Sequence, residues 1–418
     1  MSPAASGVEH VTCLGCGCTC DDIAVLVKGG RIAEAKNACT LGVAWFGDGT
    51  VGTATRVNGR PGTVDEALAT AATLLAAAKR PLVYLAGDIS CETQRDAVAI
   101  ADRLHAAVDS LAATGGAGVL AAQRRGRATA TLGELRQRAD LIVFWGVDPG
   151  LRYPRYASRY AVSPKGLEAP GGRQSRRVIA VDIGASRGPA DADARVAIPA
   201  GQEVDALGVM RATVAGRPLG AAAPLGGAAE LARAMSAARY VALVADGEPE
   251  TNAPDGDRAE ALISLAQALN GPTRCALSTL RGGGNRSGAE AVLTWQTGFP
   301  FAVDFAPGFP TYRPHAGAAE LLASGAVDRA LVVGAPHTLP DSVARGLTGL
   351  SSVAIGPRAS AAAFTPAVAI DTGVAGIHEG GTAFRMDDVP LPLRPALAQT
   401  QVPSAAATLR RLRERLGA

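Results

Sequence analysis

Short, continuous runs of apolar residues alternate with Ala- and Leu-rich stretches of helical character along most of the chain. Residues 67–78 favour a helix, residues 81–87 form an apolar run, and residues 92–107 favour a second helix. Strands that are buried on both faces are apolar throughout, so this alternation predicts parallel sheets covered by helices on both sides. The other apolar runs that we assign to strands are residues 141–145, 178–181, 240–245, 275–279, 330–334, 353–355 and 368–370.

The two ends of the chain depart from this alternation. Near the N-terminus, residues 23–27 and 31–32 flank the turn Gly29-Gly30, which predicts a hairpin in a small lobe. Such a lobe buries little apolar area, and a bound metal centre would supply the missing stability. Near the C-terminus, a predicted helix carries on one side three leucines that favour docking onto the body of the protein, namely Leu409, Leu412 and Leu416.

These patterns predict an α/β protein of four consecutive segments. A stretch rich in Gly, Ala and Pro at residues 219–228 predicts a linker between two doubly wound α/β lobes. We expect, in chain order, a small cysteine-rich lobe of the iron–sulfur type, a first α/β lobe, a second α/β lobe, and a C-terminal segment with its docking helix. These four segments are residues 1–55, 56–218, 230–375 and 376–418.

Composition narrows the class of function. With 418 residues, 48% apolar and 19% charged, the chain is long enough for several packed domains and is not disordered. Its net charge of +3 gives no basic surface for duplex DNA, and 4% aromatic residues argue against stacking on single-stranded nucleic acid. The sequence has no apolar leader and no apolar run of about 18 residues, so we expect a cytoplasmic protein that does not enter a membrane.

The first forty residues carry most of the cysteines. Cys13, Cys16 and Cys20 follow C-x2-C-x3-C spacing, and Cys39 supplies a fourth thiol. Three thiolates from one glycine-containing loop and one from elsewhere suit a cubane iron–sulfur cluster. A zinc site is an alternative, although its usual signature is two C-x2-4-C pairs. A lobe that keeps the thiols but has lost the metal is also compatible, and Cys18 has no assigned role.

Cys91 stands apart from this group. It follows the apolar run 81–87 and opens the helix that begins near Glu92. Doubly wound folds bind ligands at the carboxyl ends of their strands, which makes Cys91 a candidate active-site residue. A helix N-terminus would lower the pKa of its thiol and favour the thiolate. The alternative is a buried structural cysteine, which is what we expect for Cys275 inside its apolar run.

Three other features could line a ligand crevice of the same kind. Asp182 ends the run 178–181, where doubly wound folds place a carboxylate against a nucleotide, unless it is a turn or capping residue. His337 follows the run 330–334, with a loop histidine bonded to backbone as the alternative. The glycines at 282–284 could cradle a phosphate, which is a weak signal. The histidines lack the spacing of a metallohydrolase site.

Five motifs extend over nearly the whole chain. They are C-x2-C-x3-C-D-D at residues 13–22 with N-A-C at 37–39, W-G-V-D-P at 145–149 with P-R at 154–155, L-R-G-G-G-N at 280–285, L-T-W-Q-T-G-F-P at 293–300, and G-G-T-A-F-R-M-D-D-V-P at 380–390. Together they resemble the family of formylmethanofuran dehydrogenase B subunits, within the molybdopterin oxidoreductase superfamily.

The resemblance implies two metal centres and a dependence on partners. Cys91 would ligate the molybdenum or tungsten of a bis(molybdopterin guanine dinucleotide), and Arg281 would hold a one-carbon carboxylate through two hydrogen bonds. The C-terminal barrel of larger molybdoenzymes is missing here, and in this family a separate subunit supplies it, so we expect a complex. The implied ligands of a [4Fe-4S] cluster are Cys13, Cys16, Cys20 and Cys39. The implied pterin-side residues are Trp145, Asp148, Asp182 and Asn285.

Two positions depart from the redox members of the family. Beside the metal-ligating cysteine the archaeal enzymes have a histidine, whereas this chain has Glu92, whose charge disfavours formate near an anionic metal centre. Leu41 stands where many molybdopterin enzymes have a lysine between pterin and cluster. Both departures weaken the redox interpretation.

A second version of this family, the formyltransferase/hydrolase complex of methylotrophic bacteria, releases formate from formyl-tetrahydromethanopterin without net electron transfer. Its other subunits carry formyl transfer and hydrolysis, and the arginine-rich, lysine-poor composition favours such a host. We therefore expect the chain to be a non-redox scaffold, the B subunit of a complex of this kind, with the other subunits as partners. The alternative is a redox-active molybdenum or tungsten subunit that interconverts CO2 and formate. The missing barrel disfavours a stand-alone formate dehydrogenase.

Overall fold

The computed structural model describes residues 6–220, 225–248, 255–397 and 402–417. The strands, numbered in chain order, are β1 Ser6–Val11, β2 Ile23–Lys28, β3 Arg31–Lys36, β4 Thr55–Val57, β5 Arg60–Pro61, β6 Pro81–Leu85, β7 Ala107–Ser110, β8 Leu141–Trp145, β9 Arg177–Ile183, β10 Ala194–Ile198, β11 Tyr240–Asp246, β12 Arg274–Leu280, β13 Val303–Asp304, β14 Thr311–Tyr312, β15 Arg329–Val333, β16 Ser352–Gly356, β17 Val368–Asp371, β18 Gly381–Phe384 and β19 Pro390–Leu393. The α-helices are α1 Thr40–Phe46, α2 Val64–Ala76, α3 Cys91–Arg103, α4 Gly116–Arg125, α5 Leu132–Arg138, α6 Glu203–Val214, α7 Gly226–Ala237, α8 Gly256–Leu269, α9 Arg286–Thr297, α10 Ala318–Ala323, α11 Asp341–Gly346 and α12 Ala405–Leu416.

Two compact units share the chain discontinuously. The first unit comprises Met1–Thr114, Gly283–Arg385 and Pro390–Ala418, and the second comprises Gly115–Gly282 and Met386–Val389. Strands from the predicted first α/β lobe therefore contribute to both units. The division into four consecutive segments stays a prediction, and residues 221–224 of the predicted linker lie outside the described part.

The sheet of the first unit has the order β14-β13-β7-β6-β15-β16-β17-β4-β5. Its central strands, β7, β6, β15, β16 and β17, are parallel, and the flanking strands β13 and β4 run antiparallel to their neighbours among them. The chain leaves β6 to one side for β7 and returns on the other side at β15. The carboxyl ends of β6 and β15 therefore form a topological switch point, the place where such sheets bind ligands.

The sheet of the second unit is parallel throughout, in the order β10-β9-β8-β11-β12. The chain moves from β8 to β9 and β10 on one side and then to β11 and β12 on the other, which is the strand order of the Rossmann fold. Its switch point lies at the carboxyl ends of β8 and β11. The predicted α/β class is confirmed in both units.

The cysteine-rich lobe is the antiparallel sheet β1-β2-β3 with α1, inside the first unit. Two side chains, the half-buried Trp45 and the buried His378, fasten it to loops at the carboxyl end of the large sheet. The indole of Trp45 donates to Asp88 Oδ1 at 3.0 Å. His378 Nδ1 accepts from the Val374 amide at 3.1 Å, so Nε2 carries the proton that it shares with the Gly49 carbonyl at 2.8 Å. A small lobe with little core is thus held by directional bonds.

The apolar pattern predicted the buried strands with one exception, β7, which the sequence did not indicate. Each predicted run lies within or overlaps a strand of the structure, because such runs are stable only between two layers of helices. The C-terminal helix is also confirmed, with Leu409 and Leu412 fully buried. The helix expected over residues 92–107 ends at Arg103, and Ala107 opens β7. Among the described residues, no helix combines the length and apolarity needed to cross a bilayer.

We expect the attachment of the cysteine-rich lobe to weaken in acid because of His378. Burial lowers the pKa of this imidazole, against the opposing effect of its bonds to Gly49 and Val374. A group whose folded-state pKa lies below its unfolded value of about 6.5 stabilises the fold above that pH and loses the contribution as pH falls through the folded pKa. Protonated Nδ1 could no longer accept from Val374.

Urea unfolding of the wild type and of His378→Gln, measured from pH 8 to pH 5, checks this expectation. Glutamine can donate and accept but does not titrate, so the stability advantage of the wild type should shrink as pH falls. An advantage that is constant over this range would contradict the assignment.

Candidate functional site

Cys91 lies at the switch point of the first unit, as the first residue of α3. The chain leaves β6 through Gly87 and Asp88, and the left-handed backbone of Asp88 (φ 65°) turns it towards α3. Ser90 caps the helix, because its hydroxyl accepts the Thr93 amide. The sequence-based placement of Cys91 beyond the end of a parallel strand is correct.

The thiol of Cys91 is enclosed. The residue is 3% exposed and belongs to the apolar core between β6, α3 and α9. Burial, aided by the nearby Glu92 carboxylate, raises the pKa of Cys91 to about 12, although the amide of Asn285 opposes this. The expectation of a thiolate favoured by the helix N-terminus is therefore wrong, because desolvation outweighs the helix dipole.

Glu92 binds the strand β18 with both carboxylate oxygens. The Thr382 amide donates to Oε2 and the Thr382 hydroxyl donates to Oε1, each at 2.9 Å. A Cβ on the preceding residue, Gly381 (φ +135°), would lie 2.5 Å from Glu92 Oε2 and 2.7 Å from Ser90 Cβ. The carboxylate that departs from the family pattern therefore holds a neighbouring strand against α3.

Asn285 is the second link between these elements. Its amide Nδ2 is 2.9 Å from the Ile89 carbonyl, 3.4 Å from the Thr382 carbonyl and 3.6 Å from Cys91 Sγ. Its Oδ1 accepts the Phe384 amide at 2.9 Å. The side chain predicted to face a pterin is committed to the protein's own backbone.

A pair of titratable side chains occupies the strand ends beside Cys91. Asp88 is buried, and His337 Nε2 lies 3.9 Å from its Oδ2 with the imidazole largely exposed. Burial raises the pKa of Asp88, while Trp45, His337 and Arg358 act to lower it. The sequence-based prediction of a crevice includes His337 but not Asp88. The position of Asp88, directly after the apolar run 81–87, is the signal that could have identified this residue.

The structure gathers the N-terminal cysteines. A point beside Gly42, where a Cβ would stand, is 3.4 Å from Cys13 Sγ and 3.9 Å from Cys39 Sγ. The pKa of Cys13 is raised by burial and further by Cys16, Cys20 and Cys39, which places all four in one neighbourhood. Cys18 is also inside this group, where its hydrogen bond with Cys16 and its burial raise the pKa of its thiol.

This neighbourhood is compatible with a cubane cluster. Each thiolate of a cubane binds a different iron, so four cysteines around one small volume can share the cluster. The Gly15 amide already points at Cys13 Sγ, at 3.4 Å, as second-sphere donors to cluster sulfurs do. Four neighbouring thiols with an amide donor suit a [4Fe-4S] cluster, and both the metal and its ligand set stay a prediction.

The residues around Cys91 do not fit a metal in the same way. The thiol faces the Asn285 amide within the core, and Glu92 adds negative charge beside it. A metal ligand needs an open side for the ion. The Cys91 thiol, which is 3% exposed and lies 3.6 Å from the Asn285 amide, offers none in this conformation.

Arg281 belongs to the second unit, where it follows β12. Its Nε lies 3.6 Å from Glu248 Oε1, and both side chains are nearly buried. Glu248 Oε2 also accepts the Gly282 amide at 3.0 Å. Arg281 lines a cavity of about 120 Å³ that α4, α8 and β12 enclose. Whether Arg281 and Cys91 face one crevice stays a prediction, since they belong to different units.

The other predicted pterin residues also lie in the second unit and bind protein groups. The Trp145 indole donates to Glu203 Oε1 at 2.7 Å, and Asp148 Oδ1 accepts the Gly150 amide in its own turn. Asp182 accepts from the Gly188 amide and from Arg195. Burial would raise the pKa of Asp182, but these two donors hold it below the usual range. A cofactor role for these three residues stays a prediction.

Two of the glycines at 282–284 have a packing role, and a phosphate-binding role for the loop stays a prediction. A Cβ on Gly283 would lie 2.2 Å from the Leu14 carbonyl and 2.7 Å from the Cys16 amide nitrogen. The Gly284 amide donates to Leu14, and the Gly284 carbonyl accepts the Asp88 amide. Residues 283–284 therefore lie between the cysteine loop and the turn that leads to Cys91.

Comparisons with known proteins agree with this picture. No family model matches the chain. It is 32% identical over 406 residues to the B subunit of the tungsten-containing formylmethanofuran dehydrogenase 2 of Methanocaldococcus jannaschii, covering 93% of each chain. Against the protein of the same name from Methanococcus maripaludis it is 30% identical over 403 residues, 92% of this chain and 93% of the relative.

Among solved structures, the chain resembles one in the crystal structure of the formyltransferase/hydrolase complex from Methylorubrum extorquens with methylofuran. The TM-score is 0.71 with 28% identity, over 87% of this chain and 98% of that one. The residue motifs, the α/β architecture and the full-length similarity to two curated relatives point the same way. The chain belongs to the family of formylmethanofuran dehydrogenase B subunits.

Proposed function

We propose that this chain is the B subunit of a formyltransferase/hydrolase-type complex in tetrahydromethanopterin-linked one-carbon metabolism, and that it acts there as a non-redox scaffold. The observation that carries the proposal is the enclosure of Cys91. The only protein ligand that the resemblance offers to molybdenum or tungsten is a buried thiol with a raised pKa, packed against an amide and beside a carboxylate.

The similarity to a chain of a multi-subunit complex supports partners of the same kind. The structural relative was solved as a formyltransferase/hydrolase complex with methylofuran, and the curated relatives carry the name of a dehydrogenase subunit. In such an assembly formyl transfer and hydrolysis belong to other subunits. This chain would contribute its two α/β units as a framework in a cytoplasmic complex, without nucleic acid or membrane.

A second candidate function, a redox-active dehydrogenase subunit that interconverts CO2 and formate, is favoured by the cysteine-rich lobe. Its thiols are retained and gathered, and the curated relatives are named as tungsten-containing proteins. The cluster would be held by Cys13, Cys16, Cys20 and Cys39. It would supply one-electron transfer in a dehydrogenase, or structural stability alone in a scaffold.

The two candidates differ in what they expect of Cys91→Ser. If Cys91 ligates no metal, the complex carrying this variant should release formate from formyl-tetrahydromethanopterin at a rate within about twofold of wild type. The wild-type complex should show no viologen-coupled formate oxidation. Cys275→Ser, which alters a buried thiol in the core of the second unit, is the matched control.

A wild-type signal in the viologen assay that disappears in Cys91→Ser would overturn the scaffold proposal. In that case the variant would have removed the metal's protein ligand. An equal loss of formate release in both cysteine variants would instead report a packing defect, which circular dichroism of each complex would reveal.

Elemental analysis separates the two metal centres. We expect the purified complex to contain iron bound by this chain, roughly four atoms per copy, without molybdenum or tungsten. Cys39→Ala should lose that iron and lower the melting temperature of the chain, whereas Cys275→Ala should keep the iron. Stoichiometric tungsten or molybdenum in the wild type would favour the dehydrogenase.

A further inference from the structure

We propose that the hairpin β18–β19 is a closed lid over Cys91, locked by Glu92 and Asn285, which keeps this thiol out of reach of metals and electrophiles. The inference rests on the proposed function and deepens it, because it names the elements that close the site around Cys91.

The lock consists of two side chains that take the place of a neighbouring strand. The inner edge of β18 presents the amide and carbonyl of Thr382 and the amide of Phe384. The Thr382 amide donates to the Glu92 carboxylate, and the Thr382 carbonyl accepts from the Asn285 side-chain amide. The Phe384 amide donates to Asn285 Oδ1. The other edge of β18 pairs with β19, as in the register Ala383 to Leu391. Backbone groups on both edges of this short strand therefore have hydrogen-bond partners.

The lid fits closely because its first residue has no side chain. The backbone of Gly381 has a conformation that residues with a side chain rarely adopt, and a Cβ there would clash with Glu92 and Ser90. Thr382 thereby reaches the first turn of α3, where its hydroxyl adds a second bond to the Glu92 carboxylate. The packing brings β18 directly against the helix end that carries Cys91.

Asn285 connects the lid to the thiol. Its Nδ2 lies within 3.6 Å of Cys91 Sγ while it also contacts the Thr382 and Ile89 carbonyls. Lifting β18 would remove the bonds to Thr382 and Phe384 that help to hold Asn285 beside the sulfur, and would leave its bond to the Ile89 carbonyl. With the lid closed, 3% of the surface of Cys91 is exposed to solvent.

Alkylation of the full-length chain in its complex tests the lid. Iodoacetamide is added to the native complex, and the labelling rate of each cysteine is followed by peptide mass spectrometry. In the wild type, Cys91 should react as slowly as Cys275, which is 5% exposed in the core of the second unit. Thr382→Val removes the hydroxyl bond to Glu92 and should raise the Cys91 rate about tenfold or more, since a hydrogen bond to a charged group is lost.

Thr382→Ser restores the hydroxyl and should return Cys91 to the wild-type rate, while Cys275 stays slow in both variants. If Cys275 also becomes reactive in Thr382→Val, that variant has unfolded, and Glu92→Gln, which loses one of the two acceptors, takes its place. Rapid labelling of Cys91 in the wild type overturns the lid. So does a Cys91 rate that neither variant changes.

The outcome is separable from that of the proposed function. Fast labelling of Cys91 in a complex that shows no formate oxidation would overturn the lid and the enclosure cited for the scaffold, while the missing oxidation would still exclude the dehydrogenase. Slow labelling of Cys91 in a complex that oxidises formate and contains tungsten or molybdenum would overturn the scaffold, and the lid with it, because a bound metal would then protect the thiol.

Discussion

The arrangement of the first unit depends on the close passage of residues 283–285 between the cysteine loop and the turn that follows β6. Gly283 lies against the backbone of Leu14 and Cys16 with no room for a Cβ, and Gly284 bonds both to Leu14 and to Asp88. Asn285 then follows at the start of α9, in the left-handed conformation, and reaches Cys91 and β18. One short segment thus fixes the positions of the cysteine-rich lobe, the turn after β6 and the hairpin β18–β19 relative to one another. A side chain at position 283 would force this segment away from the cysteine loop.

That packing decides the chemistry of Cys91. A helix N-terminus stabilises a negative charge by about 0.3–1 kcal/mol, which is less than one pKa unit. Enclosure in an apolar core, beside a carboxylate that is itself engaged with Thr382, acts in the opposite direction and is larger, so the thiol's pKa rises to about 12. Position at a strand end makes a residue available to a ligand only where the surrounding elements leave that end open.

The second unit shows the same separation between architecture and site. Its strand order is that of a nucleotide-binding sheet, with acidic residues at the ends of β9 and β11. Asp182 is held by Arg195, and Asp246 by Arg152, while Arg258 joins Glu203 to the Asp246 carbonyl. These ion pairs stiffen the loops at the carboxyl edge. An anionic ligand at this edge would have to compete with these carboxylates for the arginines.

The sequence by itself determined the α/β class, the buried strands other than β7, the grouping of cysteines in one loop and the family, because each of these is a local pattern. An apolar run needs two covering layers, and C-x2-C-x3-C spacing belongs to one loop. Only the tertiary structure decided that Glu92 binds Thr382, some 290 positions away, that Asn285 turns its amide to Cys91, and that strands from both halves of the chain share the large sheet. Such pairings leave no periodic signal, since they arise where distant segments meet. The reactivity of Cys91 depends on them, and so it could not be read from its neighbours in the chain.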